Sequence, residues 1–283
     1  MSDAVRSGDA LSNDVLASID SWPVPHAAAA IVHGTSIVSR GDTAHQFRLA
    51  SISKVITAWA CLIAVEEGSV SLDDPVGPPG STLRHCLAHA AGYGFDTPDT
   101  IIGVEKRRVY SNTGIERAAH HVAERSGIPF PDYVREAIFE PLNMNDSTLK
   151  SSAAYGVWST VDDLCRFALE LMHPRLITAQ TGALVRTIQF PQLGGVIPGL
   201  GSFSPNPWGI GAEVRGDKSP HWTGATNSPS TYGHFGGSGT MMWIDPTIDT
   251  ALIALTDRDF DQWAQDALVA WRSLSDAVVA SVR

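Results

Sequence analysis

The chain is poor in cysteine and lysine and has no long apolar run. Its three cysteines, Cys61, Cys86 and Cys165, each sit within an apolar helical pattern, and no two have metal-ligand spacing. This argues against a disulfide framework or a zinc site and for buried free thiols. The apolar run Ala27–Val32 is too short to span a bilayer. The polar stretch Met1–Ser21 lacks the basic start and apolar core of a signal peptide. Net charge is -10, and the only basic run is Lys106-Arg107-Arg108. A nucleic-acid or anionic-membrane partner is therefore disfavoured. These absences together point to the cytoplasm. His85 and His89 lie four apart without an H-E-x-x-H, and Gly236-Gly237-Ser238-Gly239-Thr240 fails the last position of G-x-S-x-G. Neither a metalloprotease helix nor an α/β-hydrolase elbow is indicated. No repeat or low-complexity tract is visible, and no metal or cofactor is expected.

What is present reads as one globular domain. His26–Val32, Ser36–Arg40 and Gln46–Leu49 are short strands, with turns at Gly34 and Gly41-Asp42. A helix starts at Ser51 and runs to Glu67; it is apolar all round its middle and so is buried on all sides, with Gly68 at its end. Helices then dominate: Thr82–His89, Thr113–Ser126 with Thr113 and Glu116 at capping-box spacing, and Ser159–His173 capped by Ser159 and Asp162. Phe190–Ser230 is rich in glycine, proline, serine and asparagine, and implies long loops with short strands such as Gly209–Val214. Strands return at Thr240–Ile244 and Thr250–Leu255, and a helix over Gln262–Val282 closes the chain. The outline is α+β: an antiparallel sheet flanked by helices, plus an all-helical lobe. The α/β lobe takes about residues 1–70 and 188–283, and the helical lobe about 71–187.

Three patterns carry chemistry. The first is S-x-x-K, which puts an amine one helical turn from a hydroxyl and lets it take the proton a lone serine does not readily lose. It occurs twice, at Ser51–Lys54 and Ser147–Lys150. Ser147–Lys150 lies in a polar turn, where lysine keeps its ordinary charge. Ser51 opens the apolar helix, where burial moves Lys54 toward neutrality and unpaired N–H groups face the hydroxyl. The second is Tyr110-Ser111-Asn112, the only Y-x-N: a tyrosine able to relay a proton and an amide able to hold lysine and substrate. The third is His234-Phe235-Gly236-Gly237, the only H-x-G, where glycines admit a ligand close to the backbone. Taken singly, Ser51 reads equally as an N-cap, Tyr110–Asn112 as a capped helix start, and His234–Gly237 as a glycine-rich turn.

In this order the three motifs resemble those of the superfamily of class C β-lactamases, D-alanyl-D-alanine peptidases and esterases. The likeness runs from about Val24 to Leu255. It includes Phe47–Lys54, Val65–Val76, Thr82–His89, Phe139–Met144 and Ser159–Leu164. The resemblance implies a β-lactamase/penicillin-binding-protein fold with an active site between its lobes. It implies Ser51 as the acylated nucleophile, and Lys54 and Tyr110 as the groups exchanging its proton, with the base undecided between them. The N–H groups of Ser51 and Gly237 would form the oxyanion hole, and Asn112, His234, Phe235 and Gly236 would bind substrate. Penicillin-recognising members usually carry Lys where His234 stands, and often a small hydroxyl residue where Phe235 stands. Histidine is mostly neutral at pH 7, so neutral esters or amides are favoured over anionic β-lactams. The expected activity is a serine hydrolase acting through an acyl-enzyme on a small ester or amide, most of all an esterase. A β-lactamase or D-amino peptidase is the alternative within enzymes; a sensor or binding module that acylates once is the alternative outside them.

Overall fold

The computed structural model describes residues 12–283. The first part of the polar N-terminal stretch lies outside the described residues. Strands are β1 (Ala27–His33), β2 (Ser36–Gly41), β3 (Phe47–Arg48), β4 (Thr148–Leu149), β5 (Val157–Ser159), β6 (Gly195–Ile197), β7 (Gly201–Phe203), β8 (Glu213–Val214), β9 (Tyr232–Gly236), β10 (Thr240–Asp245) and β11 (Thr250–Thr256). Helices are α1 (Ser53–Glu66), α2 (Leu83–Leu87), α3 (Asn112–Ser126), α4 (Phe130–Val134), α5 (Val161–Met172), α6 (Ala179–Gly182) and α7 (Ala264–Val282). None of the described helices is long and apolar enough to cross a membrane.

The main sheet has the order β2-β1-β11-β10-β9-β8 and is antiparallel throughout. Both faces of its centre are covered, so β10 and β11 are buried at every position and apolar at all but their end residues. Alternate residues divide the strands between two cores. Ala28, Ala30, Val32, Met242, Ile244, Ile253 and Leu255 meet the face that carries α1 and α5. Ala29, Ile31, Met241, Trp243, Leu252 and Ala254 meet α7 through Ala267, Trp271, Leu274 and Val278, joined by Leu16 and Ile19 of an N-terminal 3-10 helix. Each large side chain so buried contributes roughly 1.5–3 kcal/mol before conformational entropy is set against it. All three cysteines are buried and free.

The helix ends differ from expectation in instructive ways. Ser111, not Thr113, caps α3, its Oγ accepting from Gly114 N–H, because the helix starts one residue before Thr113. Thr160, not Ser159, caps α5; Ser159 is occupied as the last residue of β5, where its hydroxyl meets that of Ser147 at 2.7 Å. Helix α5 lies within residues 71–187 yet packs against β1 and β11.

Candidate active site

The nucleophile stands at a strained junction. β3 leads through Leu49 to Ala50, whose φ of +47° lies in the left-handed region, a cost of about 1 kcal/mol for a residue with a Cβ. A 3-10 turn over Ala50–Ile52 follows, and α1 begins only at Ser53. Ser51 is therefore in the turn before the helix, not at its first position; the kink leaves it half-buried while its neighbours on both sides are sealed. Lys54 is fully buried. Its Nζ lies 3.1 Å from Ser51 Oγ and donates to Ala154 O at 2.9 Å. The Tyr110 hydroxyl donates to the same Ser51 Oγ at 2.7 Å.

Burial acts oppositely on the two groups. It pushes the Lys54 amine down to about 7, against the upward pull of Glu116 and Asp96. It pushes the Tyr110 phenol up from its ordinary value, so the phenol keeps its proton at neutral pH. An amine that can be neutral and a phenol that stays protonated thus flank one hydroxyl.

The third wall is β9, so His234, Phe235 and Gly236 of the third motif lie within a strand and not in a glycine-rich turn. Tyr232 and His234 share one face of β9, and Phe235 takes the other. The His234 ring centroid is 5.6 Å from that of Tyr110. Its Nδ1 lies 2.6 Å from Phe235 O and donates to it, which leaves Nε2 as a buried acceptor without a partner among the described residues. Burial pushes this histidine down to about 3, so it carries no charge. Gly236 is required by close approach: a Cβ there would lie 2.3 Å from Leu49 O and 3.2 Å from Ala50 Cβ. Gly237 is exposed beside the pocket, with nothing within 4 Å of a Cβ. Phe235 packs toward α7 against Trp222, Phe260 and Trp271 and reaches only the pocket rim. The pocket holds about 450 Å³ and is bordered by Ser51, Tyr110, Trp208, His234 and Gly237.

Residues 21–274 match the family model described as Beta-lactamase. The chain belongs to the Beta-lactamase family. That is a family of serine hydrolases. A β-lactamase from Mycobacterium bovis of known structure is 47% identical, with a TM-score of 0.92 over 95% of this chain and 100% of that one. A β-lactamase of Yersinia enterocolitica is 25% identical over 60% of this chain and 60% of its own length. The match thus spans less than two thirds of that relative. The hydrolase EstCE1, described as having promiscuous acyltransferase activity, shares the fold with a TM-score of 0.77 at 16% identity, over 95% of this chain and 98% of that one.

Against the family pattern, several placements stand out. Asn112 opens α3, and its amide faces Asp96 Oδ1 at 3.4 Å rather than Lys54. Lys54 instead finds the Ala154 carbonyl, on a turn held by Glu116, whose Oε1 accepts from Ser152 Oγ and lies 3.4 Å from Ala154 N. Glu116 was legible only as a capping residue. His89, which belongs to no metal motif, is buried against the Tyr110 ring, centroids 4.8 Å apart. Its carbonyl accepts from Val109 N–H at 3.0 Å and its Nδ1 from Ser111 N–H at 3.2 Å, one on each side of Tyr110. Its φ of +58° is a second strained position. Arg108, from the basic run, is buried and donates to the carbonyls of Asn206, Gln189, Phe190 and Ala88, tying three neighbouring segments to its own.

Glu213 gave no sequence signal. It is buried at the pocket wall, and its carboxylate accepts from Lys218 Nζ (2.6 Å), His221 Nε2 (2.8 Å) and Trp222 Nε1 (2.8 Å). Burial alone would push the carboxyl up, but Lys218 and His221 hold it well below the usual range, so it stays ionised. Trp208 walls the cleft, and Trp222 serves this buried network.

Elsewhere the second S-x-x-K is pulled apart. Ser147 Oγ donates to Asp163 Oδ2 at 2.8 Å, while Lys150 is exposed over the Trp158 ring. His26, His45 and Asp257 bring possible metal ligands within 4.8 Å of one another. There His26 Nδ1 is taken by Asp257 Oδ2 at 2.5 Å and its ring stacks on His45, so the lone pairs do not converge.

Proposed function

We propose that the protein is a serine esterase that works through an acyl-enzyme at Ser51. The observation that carries this is one hydroxyl held between Lys54 Nζ at 3.1 Å and Tyr110 OH at 2.7 Å. Neutral Lys54 takes the Ser51 proton as the Oγ–carbonyl carbon bond forms. The N–H groups of Ser51 and Gly237 receive the developing oxyanion. As the ester C–O bond breaks, Tyr110 passes its proton to the leaving alkoxide and regains one from the Lys54 ammonium. Water then attacks the acyl carbon, gives its proton back along the same path, and releases the acid and free Ser51.

Preference for a neutral ester follows from the third motif. His234 is uncharged, and Glu213 beside it is ionised. The site therefore offers no fixed cation to a β-lactam carboxylate. A β-lactamase is the second reading, favoured by the 47% identical M. bovis protein that bears that description. Steady-state hydrolysis of p-nitrophenyl acetate and of a chromogenic cephalosporin, by native protein and Ser51→Ala, separates them. Ester turnover lost in the variant with little cephalosporin turnover supports the proposal. Faster cephalosporin hydrolysis supports the second reading. A single stoichiometric burst without turnover would indicate a sensor.

A further inference from the structure

Beside the nucleophile's pocket lies a second cavity of about 560 Å³, which shares Phe95, Tyr110 and Pro198 with it. Its remaining apolar wall is Ile101, Ile102, Val109 and Val196. Among the described residues seven large apolar side chains are exposed, and three of them, Phe95 (53%), Ile101 (65%) and Val196 (44%), line this one groove. Scattered apolar exposure is ordinary, whereas its concentration in a concave surface marks a binding site. Polar groups offer little there. The Arg108 guanidinium is committed to backbone carbonyls and the Tyr110 hydroxyl to Ser51. Arg107 is the one exposed charge among the lining residues. Phe95 stacks on the Tyr110 ring, centroids 5.8 Å apart, so its exposed face continues directly from the reacting hydroxyls.

Resting on the hydrolase reading above, we propose that this groove is a substrate subsite for an extended apolar chain. It runs from the ester at Ser51 over Phe95 and Tyr110 to Ile101 and Val196. A peptide would leave its amides unpaired against such walls, whereas an alkyl chain leaves nothing unpaired. The chain belongs either to the acyl or to the alcohol half of the ester, and the two are told apart by experiment.

Two ester series test this, each kept below its micelle-forming concentration. p-Nitrophenyl alkanoates from acetate to decanoate lengthen the acyl half; alkyl acetates from ethyl to decyl, followed by acid release, lengthen the alcohol half. In one series kcat/KM rises by about fourfold per methylene until the groove is filled. Ile101→Asp and Val196→Asp, both at exposed positions that folding tolerates, lower the long-to-short ratio in that series at least tenfold. Val269→Asp, at an equally exposed position on α7 outside the groove, leaves the ratio unchanged. Flat dependence in both series, or a ratio untouched by both groove variants while Ser51-dependent acetate turnover persists, overturns the subsite alone. Failure to turn over any ester overturns the proposed function, and the subsite with it.

Discussion

The chain contains the same four-residue pattern twice, and only one copy is a reactive pair. At Ser51–Lys54 a left-handed Ala50 turns the chain into a 3-10 turn, and the following helix carries its lysine into the core. At Ser147–Lys150 the two middle residues form strand β4, and the lysine extends to solvent along the Trp158 ring. A strand sends alternate side chains apart, whereas a helical turn brings positions three apart together. Desolvation adds the rest: it brings the buried amine from 10.5 down to about 7, a penalty on the charged form on the order of 5 kcal/mol. The comparison teaches that the motif is chemistry only where the backbone and burial make it so.

Exchanging residues between the two copies gives the sharpest tests. Ser51→Ala should lower kcat on a short nitrophenyl ester by at least ~10⁴-fold, whereas Ser147→Ala should leave it within about twofold. The Ser147 change instead removes a donor from the buried Asp163 and should cost about 1 kcal/mol in denaturant unfolding. Lys54→Met should lower kcat/KM by roughly 10³-fold yet stabilise the fold. Since the folded pKa of Lys54 is about 7 against 10.5 for the free group, the unfolded chain holds the extra proton between those values. Native stability should therefore rise with pH across that window, and Lys54→Met should remove that rise. Lys150→Met should change neither quantity.

Smaller effects refine the picture. Glu116 faces the Lys54 amine electrostatically and holds its turn. Glu116→Gln should shift the acidic limb of the kcat/KM profile to lower pH, because a raising influence on the amine is lost. A purely structural role would lower the rate without moving the limb. Ala50→Gly relieves the positive φ and should raise the melting temperature by a few degrees, corresponding to about 1 kcal/mol.

Much of this was legible in the sequence. Apolar patterning located β1, β10, β11, α1 and α7 within a few residues, because the strands and α1 are buried over most of their length and α7 along one face. The three motifs located Ser51, Lys54, Tyr110 and His234, which the fold brings into one cluster. Strand β9 was missed because its two glycines look like a turn, although Gly236 is there to let the strand approach the Leu49 carbonyl and the Ala50 methyl. Arg108 and His89 act through backbone carbonyls and amides, and Glu213 through the side chains of Lys218, His221 and Trp222 gathered by an irregular loop, and no periodic pattern announces those. The neutrality of His234 was expected from its ordinary pKa; the structure supplies a stronger cause, burial.

The most direct test of the central claim is the pH dependence of kcat/KM for Ser51 acylation by a short neutral ester. If a desolvated Lys54 is the base, the rate climbs through an acidic limb at about 7 and then levels off, and the limb disappears in Lys54→Met. A rate that keeps climbing to pH 10 and beyond, as a tyrosinate base at Tyr110 would require, would contradict the account.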